Sequence, residues 1–304
     1  MITKHVHRGL TWVDLESPSQ DEIRTIAKEY NLNPLVIHEL SAPSLRPKVD
    51  LYEHFIYLIL HFPRLRKNKG GEEDHEVDFI LGKKFLISVR YGTSETFYYV
   101  SKMFDASAIL NKEHFGTHAG VFFCFLVGKF YEALLHELSA VRESLRSIEN
   151  RIFSGEERDM VVHLSRVSRD LLYFRRSLSL HRDVLESFEI AEKKLFGAEF
   201  SFRLRTLIGD YYRVEHAVES NMAFLGELRE TNNALLTTKQ NEIMKTLTVL
   251  AFIALPATTV LSLFQIDSIS RPLIGMRFDF WILVLLVGSI AIGLYTWFKR
   301  KRWL

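Results

Sequence analysis

The sequence predicts an α+β domain followed by one long helix and two C-terminal transmembrane helices. Three observations lead to this prediction. Residues 246–266 carry no charged side chain, residues 280–298 carry none either, and near residue 119 the hydrophobic period changes from that of strands to that of helices. As a helix, the first uncharged stretch would be roughly 31 Å long, close to the hydrocarbon thickness of a bilayer.

The first 118 residues have the alternating pattern and the turn signals of a mixed α and β domain. Ser17-Pro18-Ser19 precedes a helical pattern, and Glu22 supplies an acidic side chain in the first turn, as is typical of a helix N-terminus. Gly70-Gly71 lies in a charged tip between two strand-like runs, which indicates a hairpin. Strands are predicted over 10–15, 55–62, 76–81 and 84–91, and further helices over 35–40 and 96–110.

Beyond this domain the apolar side chains recur with helical spacing. Helices are predicted over 119–150 and 158–194, joined by the turn Ser154-Gly155, and they should form an antiparallel pair. A third helix begins near Phe200 and meets no proline before Pro256. It is therefore predicted to continue into the first uncharged stretch, over roughly 65 residues and on the order of 100 Å.

The second uncharged stretch ends in a basic cluster, which sets the predicted topology. Lys299, Arg300, Lys301 and Arg302 follow it directly. Positive charge marks the cytoplasmic side of a membrane protein, so both termini are expected in the cytoplasm of a multi-pass protein of the cell (inner or plasma) membrane. The predicted divisions are 1–118 (α/β domain), 119–199 (helical pair), 200–266 (stalk helix with the first span, 246–266), 267–279 (extracellular loop), 280–298 (second span) and 299–304 (basic tail).

Composition excludes several classes of function. The formal net charge of +2 comes partly from the terminal cluster and gives no reason to expect a nucleic-acid partner. Cys124 is the single cysteine, which excludes an intramolecular disulfide and a CxxC metal site. The chain has no GxxxxGK[ST] motif, and no nucleophile–base pattern stands out. We therefore expect neither an enzyme nor a resident cofactor.

A mildly polar stripe runs along the first span. Thr248, Thr258 and Ser262 share one helix face with Ala251 and Leu255. Small and hydroxylated side chains on a spanning helix indicate either close helix packing or a water-filled path. The preceding segment 231–241 is rich in Asn, Thr and Gln, which suits a hydrated interface between copies of the chain.

Several motifs resemble those of the CorA-type divalent metal-ion channels. The run Asn241-Glu242-Ile243-Met244-Lys245-Thr246-Leu247-Thr248, followed by Leu255-Pro256, resembles the stalk and first span of that family. The terminal KRKRWL resembles its end, while Trp12-Val13-Asp14-Leu15 and the stretch from Leu35 through Arg46-Pro47-Lys48 resemble its N-terminal domain. The resemblance covers nearly the whole chain.

The resemblance implies a funnel-shaped homopentamer in which five first spans line one pore. It also implies membrane-potential-driven transport of divalent cations, with Mg²⁺ as the expected transported and regulatory ion and Co²⁺ or Ni²⁺ as further candidates. Apolar rings in such a pore gate by dewetting, and hydroxyl and amide oxygens contact the hydrated ion. The implied pore-lining residues are Asn241, Met244, Leu247, Thr248, Ala251, Leu255, Thr258 and Ser262.

The outer mouth departs from the family pattern. The signature Gly-Met-Asn is replaced by Gln265-Ile266-Asp267, because the position eleven residues after Pro256 is an aspartate. The acidic extracellular loop of magnesium members is also missing. A ring of Asp267 carboxylates would attract cations, but it is expected to change their selectivity.

The resemblance further implies regulation by cytosolic metal. The matching positions are Glu39 and Glu230, whose carboxylates would repel one another across subunit boundaries until a cation bridges them. Lys299, Arg300, Lys301 and Arg302 would form a basic collar at the base of the pore.

Two alternatives stay open at this point. The chain could be a zinc-type transporter of the same family, since those members also lack the acidic loop. It could instead be a non-conducting, membrane-anchored homo-oligomer or sensor that has lost transport together with the signature.

Overall fold

The computed structural model describes residues 1–44, 46–65, 72–110, 118–196, 198–265 and 278–301. The chain divides into two compact units, Met1–Leu228 and Arg229–Leu304. The predicted turn at Gly70-Gly71 lies outside the described residues.

The first part of unit 1 is a six-stranded sheet with helices. The strands lie in the order β1-β2-β6-β5-β4-β3. The pair β2–β6 is parallel and the other neighbouring pairs are antiparallel. The elements are β1 (Ile2–His7), β2 (Leu10–Glu16), α1 (Gln20–Glu29), α2 (Pro34–Glu39), β3 (Lys48–Leu51), β4 (Phe55–Leu65), β5 (Glu72–Gly82), β6 (Phe85–Arg90) and α3 (Glu95–Ile109).

Local sequence explains where these helices begin. The Ser19 side chain accepts a hydrogen bond from the amide of Glu22, whose carboxylate accepts one from the amide of Ser19 in return, so a capping box starts α1. The side chain of Asn33 accepts a hydrogen bond from the amide of Leu35, and Pro34 occupies the first turn of α2, where its missing N–H costs nothing.

The sequence pattern misses two edge strands, β1 and β3. ITKHVH is mostly polar and shows no clear hydrophobic alternation, and KVDL does alternate but is only 4 residues long, too short for the pattern to indicate a strand. Arg8 and Gly9 both have positive φ, 46° and 79°, between paired residues His7 and Leu10. Such a two-residue turn matches the twist of a hairpin and brings β1 onto β2.

Each face of the sheet carries its own apolar core. One face packs against α1 and α2 through residues that include Ile23, Val36, Tyr57 and Ile80. On β2, Trp12 contacts an aromatic group formed by Phe97 and Phe104 of α3 and Phe122. Burial on both faces explains why the central strands read as continuous hydrophobic runs.

The rest of unit 1 is helical, with α4 (Ala119–Phe153), α5 (Glu157–Leu178), α6 (His181–Leu195) and the first part of α7 (Ala198–Gln265). The prediction of one helix over 158–194 is wrong, because the helix ends at Leu178 and a new one starts at His181. The imidazole of His181 is fully buried and bonds the Tyr131 hydroxyl at 2.9 Å and the backbone carbonyl of His61 at 2.8 Å. These contacts attach the start of α6 to the sheet.

Helix α7 is 68 residues long and continues through Pro256. With α8 (Asp279–Arg300), its C-terminal part forms unit 2. Three described helices are long and apolar enough to cross a membrane: α4, α7 and α8. The apolar window of α4 is 50% buried, whereas those of α7 and α8 are 6% and 0% buried. Helix α4 is therefore a core helix, and α7 and α8 are the candidates for the two spans.

Candidate ion pathway and cation sites

One face of α7 in unit 2 packs within the protein. Val249 is buried, and Phe252 lies 6.0 Å from Phe298 of α8 between ring centroids. The half-buried positions of α7 recur with helical spacing and continue this face: Ile253, Pro256, Ala257 and Val260. On α8 the half-buried positions are Leu283, Val287, Ala291 and Leu294, again one helix face ending at buried Phe298. We infer that these two faces pack against each other.

The predicted pore stripe occupies the opposite face of α7. At about 100° per residue its centre lies roughly 180° from the packed face. Thr248, at the edge of the stripe, is half-buried. The other members are exposed: Asn241, Met244, Leu247, Ala251, Leu255, Thr258, Ser262 and Gln265.

The hydroxyl groups on this stripe are held by the helix itself. Thr248 Oγ1 donates to the carbonyl of Met244 at 2.7 Å, and Thr258 Oγ1 donates to the carbonyl of Leu255 at 2.9 Å. Because the hydroxyl hydrogen is used internally, the free lone pairs can accept hydrogen bonds from water or from the hydration shell of a cation. Large apolar side chains alternate with them, since Met244, Leu247 and Leu255 are more than half exposed.

Of the predicted outer-mouth residues, the structure places Gln265 as the exposed last residue of α7. Ile266 and Asp267 lie outside the described residues, as does most of the predicted loop 267–279.

Glu39 is the last residue of α2 in unit 1 and has a cationic partner. Lys48 Nζ donates to Glu39 Oε1 at 2.7 Å and to Asp50 Oδ2 at 2.7 Å. Burial opposes the charge of this ammonium, but the hydrogen bonds to Asp50 and Glu39 outweigh it and raise the pKa of Lys48. A metal ion at Glu39 would therefore share the carboxylate with Lys48 or replace it.

Glu230 belongs to unit 2 and is exposed on α7. Within the described ranges it has no hydrogen-bond or ion-pair partner. The same ranges contain no group of three or more His, Cys, Asp or Glu side chains arranged to hold a metal ion.

The basic cluster lies at the C-terminal end of α8. Lys299 and Arg300 are in the last turn, where positive charge is favourable to the helix dipole. Lys301 follows and places Nζ 6.0 Å from the ring centroid of Trp297. Arg302 lies outside the described residues.

Sequence reasoning missed the charged groups around the predicted regulatory position. Lys48 is nine residues from Glu39 and lies in the run Arg46-Pro47-Lys48, which gives no sign of an ion pair. Glu76 and Asp78 are buried in β5, and an acidic residue at alternate positions of an apolar strand was the available signal.

The comparison with protein families identifies the class. Residues 7–300 match the family described as CorA-like Mg²⁺ transporter protein. The chain belongs to the CorA-like Mg²⁺ transporter family. The prediction of a transporter family rather than an enzyme is therefore confirmed, and so is the prediction of CorA resemblance.

Similar proteins agree with this assignment. The cobalt/magnesium transport protein CorA of Thermotoga maritima is 21% identical over 300 residues, covering 97% of this chain and 83% of that protein. The complete structure of the CorA magnesium transporter from Methanocaldococcus jannaschii has a TM-score of 0.84 at 18% identity, covering 97% and 92% of the two chains. The ZntB cytoplasmic domain from Vibrio parahaemolyticus has a TM-score of 0.63 at 14% identity, covering 78% and 91%.

These likenesses confirm the predicted fold class for a member of the CorA family: a sheet-containing N-terminal domain, a long helix and C-terminal apolar helices. As a member of this family, the chain is a membrane transporter of divalent cations.

Proposed function

We propose that this chain assembles as a homopentamer in the cell membrane, with both termini in the cytoplasm. Five copies of α7 line a central pore for divalent cations and five copies of α8 surround them. One observation carries this proposal: α7 has a stripe of apolar and hydroxyl side chains on the face opposite to its packed face. A spanning helix that faced lipid on that side would gain nothing from aligned hydroxyl lone pairs.

Mg²⁺ is the proposed transported ion, with Co²⁺ and Ni²⁺ as further substrates. The Thermotoga maritima relative is a cobalt/magnesium transport protein and the Methanocaldococcus jannaschii relative a magnesium transporter, which supports the choice of Mg²⁺ and Co²⁺. Mg²⁺ releases its water reluctantly, so oxygen groups that accept hydrogen bonds from its hydration shell suit it. An inward divalent cation gains roughly 4.6 kcal/mol from 100 mV of membrane potential, so transport needs no nucleotide.

Cytosolic Mg²⁺ is the proposed regulatory ligand at Glu39 and Glu230. A cation that bridges carboxylates of neighbouring subunits would hold the pore shut, and its loss would release it. In this chain the site at Glu39 responds to both Mg²⁺ and the Lys48 ammonium, which compete for one carboxylate. The basic cluster is proposed to form a collar around the cytoplasmic end of the pore: Lys299, Arg300, Lys301 and Arg302.

Asp267 is proposed to form the ring at the outer mouth together with Gln265 and Ile266. A carboxylate attracts divalent cations more strongly than an amide does, and it also binds them directly. Compared with members that carry Gly-Met-Asn, this chain should therefore favour ions that lose water more readily.

The test is flux through the purified full-length chain in liposomes, over a panel of Mg²⁺, Co²⁺, Ni²⁺ and Zn²⁺, with an inside-negative potential. We expect the wild type to take up Mg²⁺. The variant Asp267→Asn should change the order in which the ions of the panel are preferred. The matched control is Asp21→Asn, an exposed aspartate on α1 that leaves the panel unchanged. Native mass spectrometry of the same preparation should give five subunits. A different subunit number contradicts the pore geometry.

Two results of the panel would select another function. Uptake of Zn²⁺ without Mg²⁺ would favour a zinc-type transporter, which the fold likeness to the ZntB cytoplasmic domain makes a specific second candidate. Background flux with every ion would favour a non-conducting, membrane-anchored homo-oligomer.

A further inference from the structure

Two carboxyl groups lie next to each other inside the sheet of unit 1. Glu76 and Asp78 are two residues apart on β5 and so point to the same face. Asp78 is 0% exposed and Glu76 is 6% exposed. This is the face that packs against α1 and α2, because Ile80, next in the same alternation, belongs to that core.

Glu76 is a hydrogen-bond acceptor for a loop and lies beside an imidazole. The amide of Ser44 donates to both of its oxygens, at 2.8 Å and 2.7 Å. Its Oε2 atom also lies 3.2 Å from Nε2 of His61 on the neighbouring strand. The carboxylate therefore has partners that stabilise its charge.

Asp78 has neutral partners instead. Its Oδ2 atom accepts hydrogen bonds from the hydroxyls of Tyr57, at 3.1 Å, and Tyr91, at 3.3 Å. Its Oδ1 atom is buried without a hydrogen-bond partner among the described residues. A buried carboxylate held only by two phenols and next to a second carboxylate is unfavourable as an anion.

The nearby ammonium group is already engaged. The ammonium of Lys48 (β3) lies 5.3 Å from the ring centroid of Tyr57, but it is bound by Glu39 (α2) and Asp50 (β3). His61 (β4) lies beside Glu76. The remaining titratable groups that face the pair, Tyr57 (β4) and Tyr91 (after β6), are neutral donors. A proton is therefore the cation that best neutralises Asp78.

Burial is the main cause that raises the pKa of Asp78 well above its ordinary value, and the charge of Glu76 adds to it. Both causes disfavour a second ionised carboxyl group beside the first. Aspartic dyads share a proton for the same physical reason.

The pair also holds the backbone that follows α2. Ser44 is bound by Glu76, and the hydroxyl of Tyr91, which donates to Asp78, lies 3.3 Å from the carbonyl oxygen of Leu40. Ser44, at one end of the segment 40–44, is thus bonded directly to Glu76, and Leu40, at the other end, lies beside the hydroxyl that bonds to Asp78. Leu40 is the residue after Glu39.

We propose that Glu76 and Asp78 form a proton-binding site that holds the segment 40–44 in place and so makes the cation response of Glu39 depend on pH. The second half of this proposal rests on the proposed regulatory role of Glu39. Loss of the proton places two buried carboxylates side by side, and their mutual repulsion displaces one of them from its donor, the amide of Ser44 or the hydroxyl of Tyr91. The segment then loosens, and internal Mg²⁺ inhibits the pore less effectively as pH rises.

The first test is hydrogen–deuterium exchange of the full chain in nanodiscs, between about pH 5 and pH 8, corrected for the intrinsic rate. In the wild type, the amides of Leu40, Ser41, Ala42 and Ser44 should lose on the order of tenfold protection as pH rises. Asp78→Asn keeps a neutral group that accepts from the tyrosines and cannot ionise, so the protection of these amides should not depend on pH. The exposed Asp21→Asn is the matched control and should follow the wild type.

An infrared difference spectrum gives an independent readout. The wild type should show the carbonyl stretch of a buried protonated carboxyl group, and Asp78→Asn should lack it. Imidazoles also titrate near neutral pH, so His61→Gln separates the two sources. A pH trend that persists in Asp78→Asn but disappears in His61→Gln, or the absence of the carboxyl band in the wild type, overturns the proton-binding site.

The link to Glu39 has its own readout, which separates its failure from that of the proton site. In the wild type, the internal Mg²⁺ concentration that inhibits liposome flux should increase as the pH rises. In Asp78→Asn this concentration should not change with pH. If exchange and infrared spectra behave as expected but inhibition does not vary with pH, the link to Glu39 is overturned while the proton site stands.

Discussion

The two units of this chain treat their apolar side chains in opposite ways. Unit 1 buries them against one another: Trp12 is 0% exposed among aromatic rings of α3 and α4. Unit 2 leaves them outside: Leu255 of α7 is 64% exposed and Leu285 of α8 is 74% exposed. Apolar surface of this extent needs lipid or other copies of the chain to cover it. The difference shows that unit 1 has an apolar core of its own, whereas the apolar helices of unit 2 need a further partner to cover them.

The units also differ in how they satisfy polar groups. In unit 1 the buried Arg90 guanidinium binds Asp14, at 2.9 Å, and Glu16, at 2.7 Å, so charge meets opposite charge. In unit 2 the hydroxyls of Thr248 and Thr258 bond to carbonyls of their own helix. The first arrangement neutralises buried charges within a fold, whereas the second leaves oxygen lone pairs available on a helix surface.

The largest expected effect on stability tests whether the aromatic group around Trp12 is a core of unit 1. Trp12→Ala removes a buried ring and one of the hydrogen bonds of Ser88, whose hydroxyl accepts the indole N–H at 2.9 Å and donates to Asp14 at 2.8 Å. We expect a loss of about 3–5 kcal/mol in the free energy of unfolding, measured by denaturant titration of the full chain in detergent. Tyr98→Ala, an exposed ring on α3, is the matched control and should cost less than about 0.5 kcal/mol. Equal losses would mean that the aromatic group is not a core.

The second prediction tests whether unit 2 has two different exposed faces. Leu255→Ala should leave stability within about 1 kcal/mol of the wild type. It should raise liposome flux on the order of tenfold, because a smaller ring dewets less readily. Leu285→Ala shortens a leucine on α8 and should leave flux unchanged. If both variants change flux equally, the distinction between a pore face and a lipid face fails.

The third prediction concerns the pH dependence of unit 1. The folded-state pKa of Asp78 is raised, so the native state binds a proton that the unfolded state releases. The contribution of Asp78 to the free energy of unfolding is fully present below about pH 4, the pKa of an aspartate in the unfolded chain. It falls as the pH rises from there toward the pKa of Asp78 in the folded state, by at most about 1.4 kcal/mol per pH unit. Asp78→Asn should flatten this decline in denaturant titrations at several pH values. A decline of unchanged slope would show that another group causes it.

The smallest effect on stability is expected at Glu39. Its partly exposed ion pair with Lys48 contributes only about 0–1 kcal/mol to folding. Function should respond more: Glu39→Gln should weaken inhibition by internal Mg²⁺, whereas Lys48→Gln removes a competitor and should strengthen it, each by roughly tenfold. Glu39→Lys combined with Glu230→Lys should abolish the response. Inhibition that stays at the wild-type level in this double variant would contradict the regulatory role of both residues.

Much of the fold could be predicted from local patterns. The start of α1 follows from the capping residues Ser19 and Glu22, and the length of α7 follows from the lack of a proline before Pro256. The break between α5 and α6 could not be predicted, because the apolar period continues across it. The contact of His181 with the carbonyl of His61 joins residues 120 positions apart, and no local pattern reports such a contact.

The candidate site divides in the same way. The stripe on α7 could be listed from its spacing, because a helix places residues three and four apart on one side. Which side packs internally depends on α8, a separate element. The partners of Glu39, Glu76 and Asp78 come from different strands and loops, so their ion pairs and hydrogen bonds require the register of the sheet.

The sequence by itself determined where the chain is apolar for a membrane's length, where the period changes from strand to helix, and to which family the motifs point. The tertiary structure decided which apolar helix is a core helix, since α4 and the two spans all pass the same test of length and composition. It also decided which face of α7 is free and which buried acid lacks a counter-charge. The reason is physical: hydropathy and helical period belong to neighbouring residues, whereas burial and charge neutralisation depend on groups that the fold brings from distant positions.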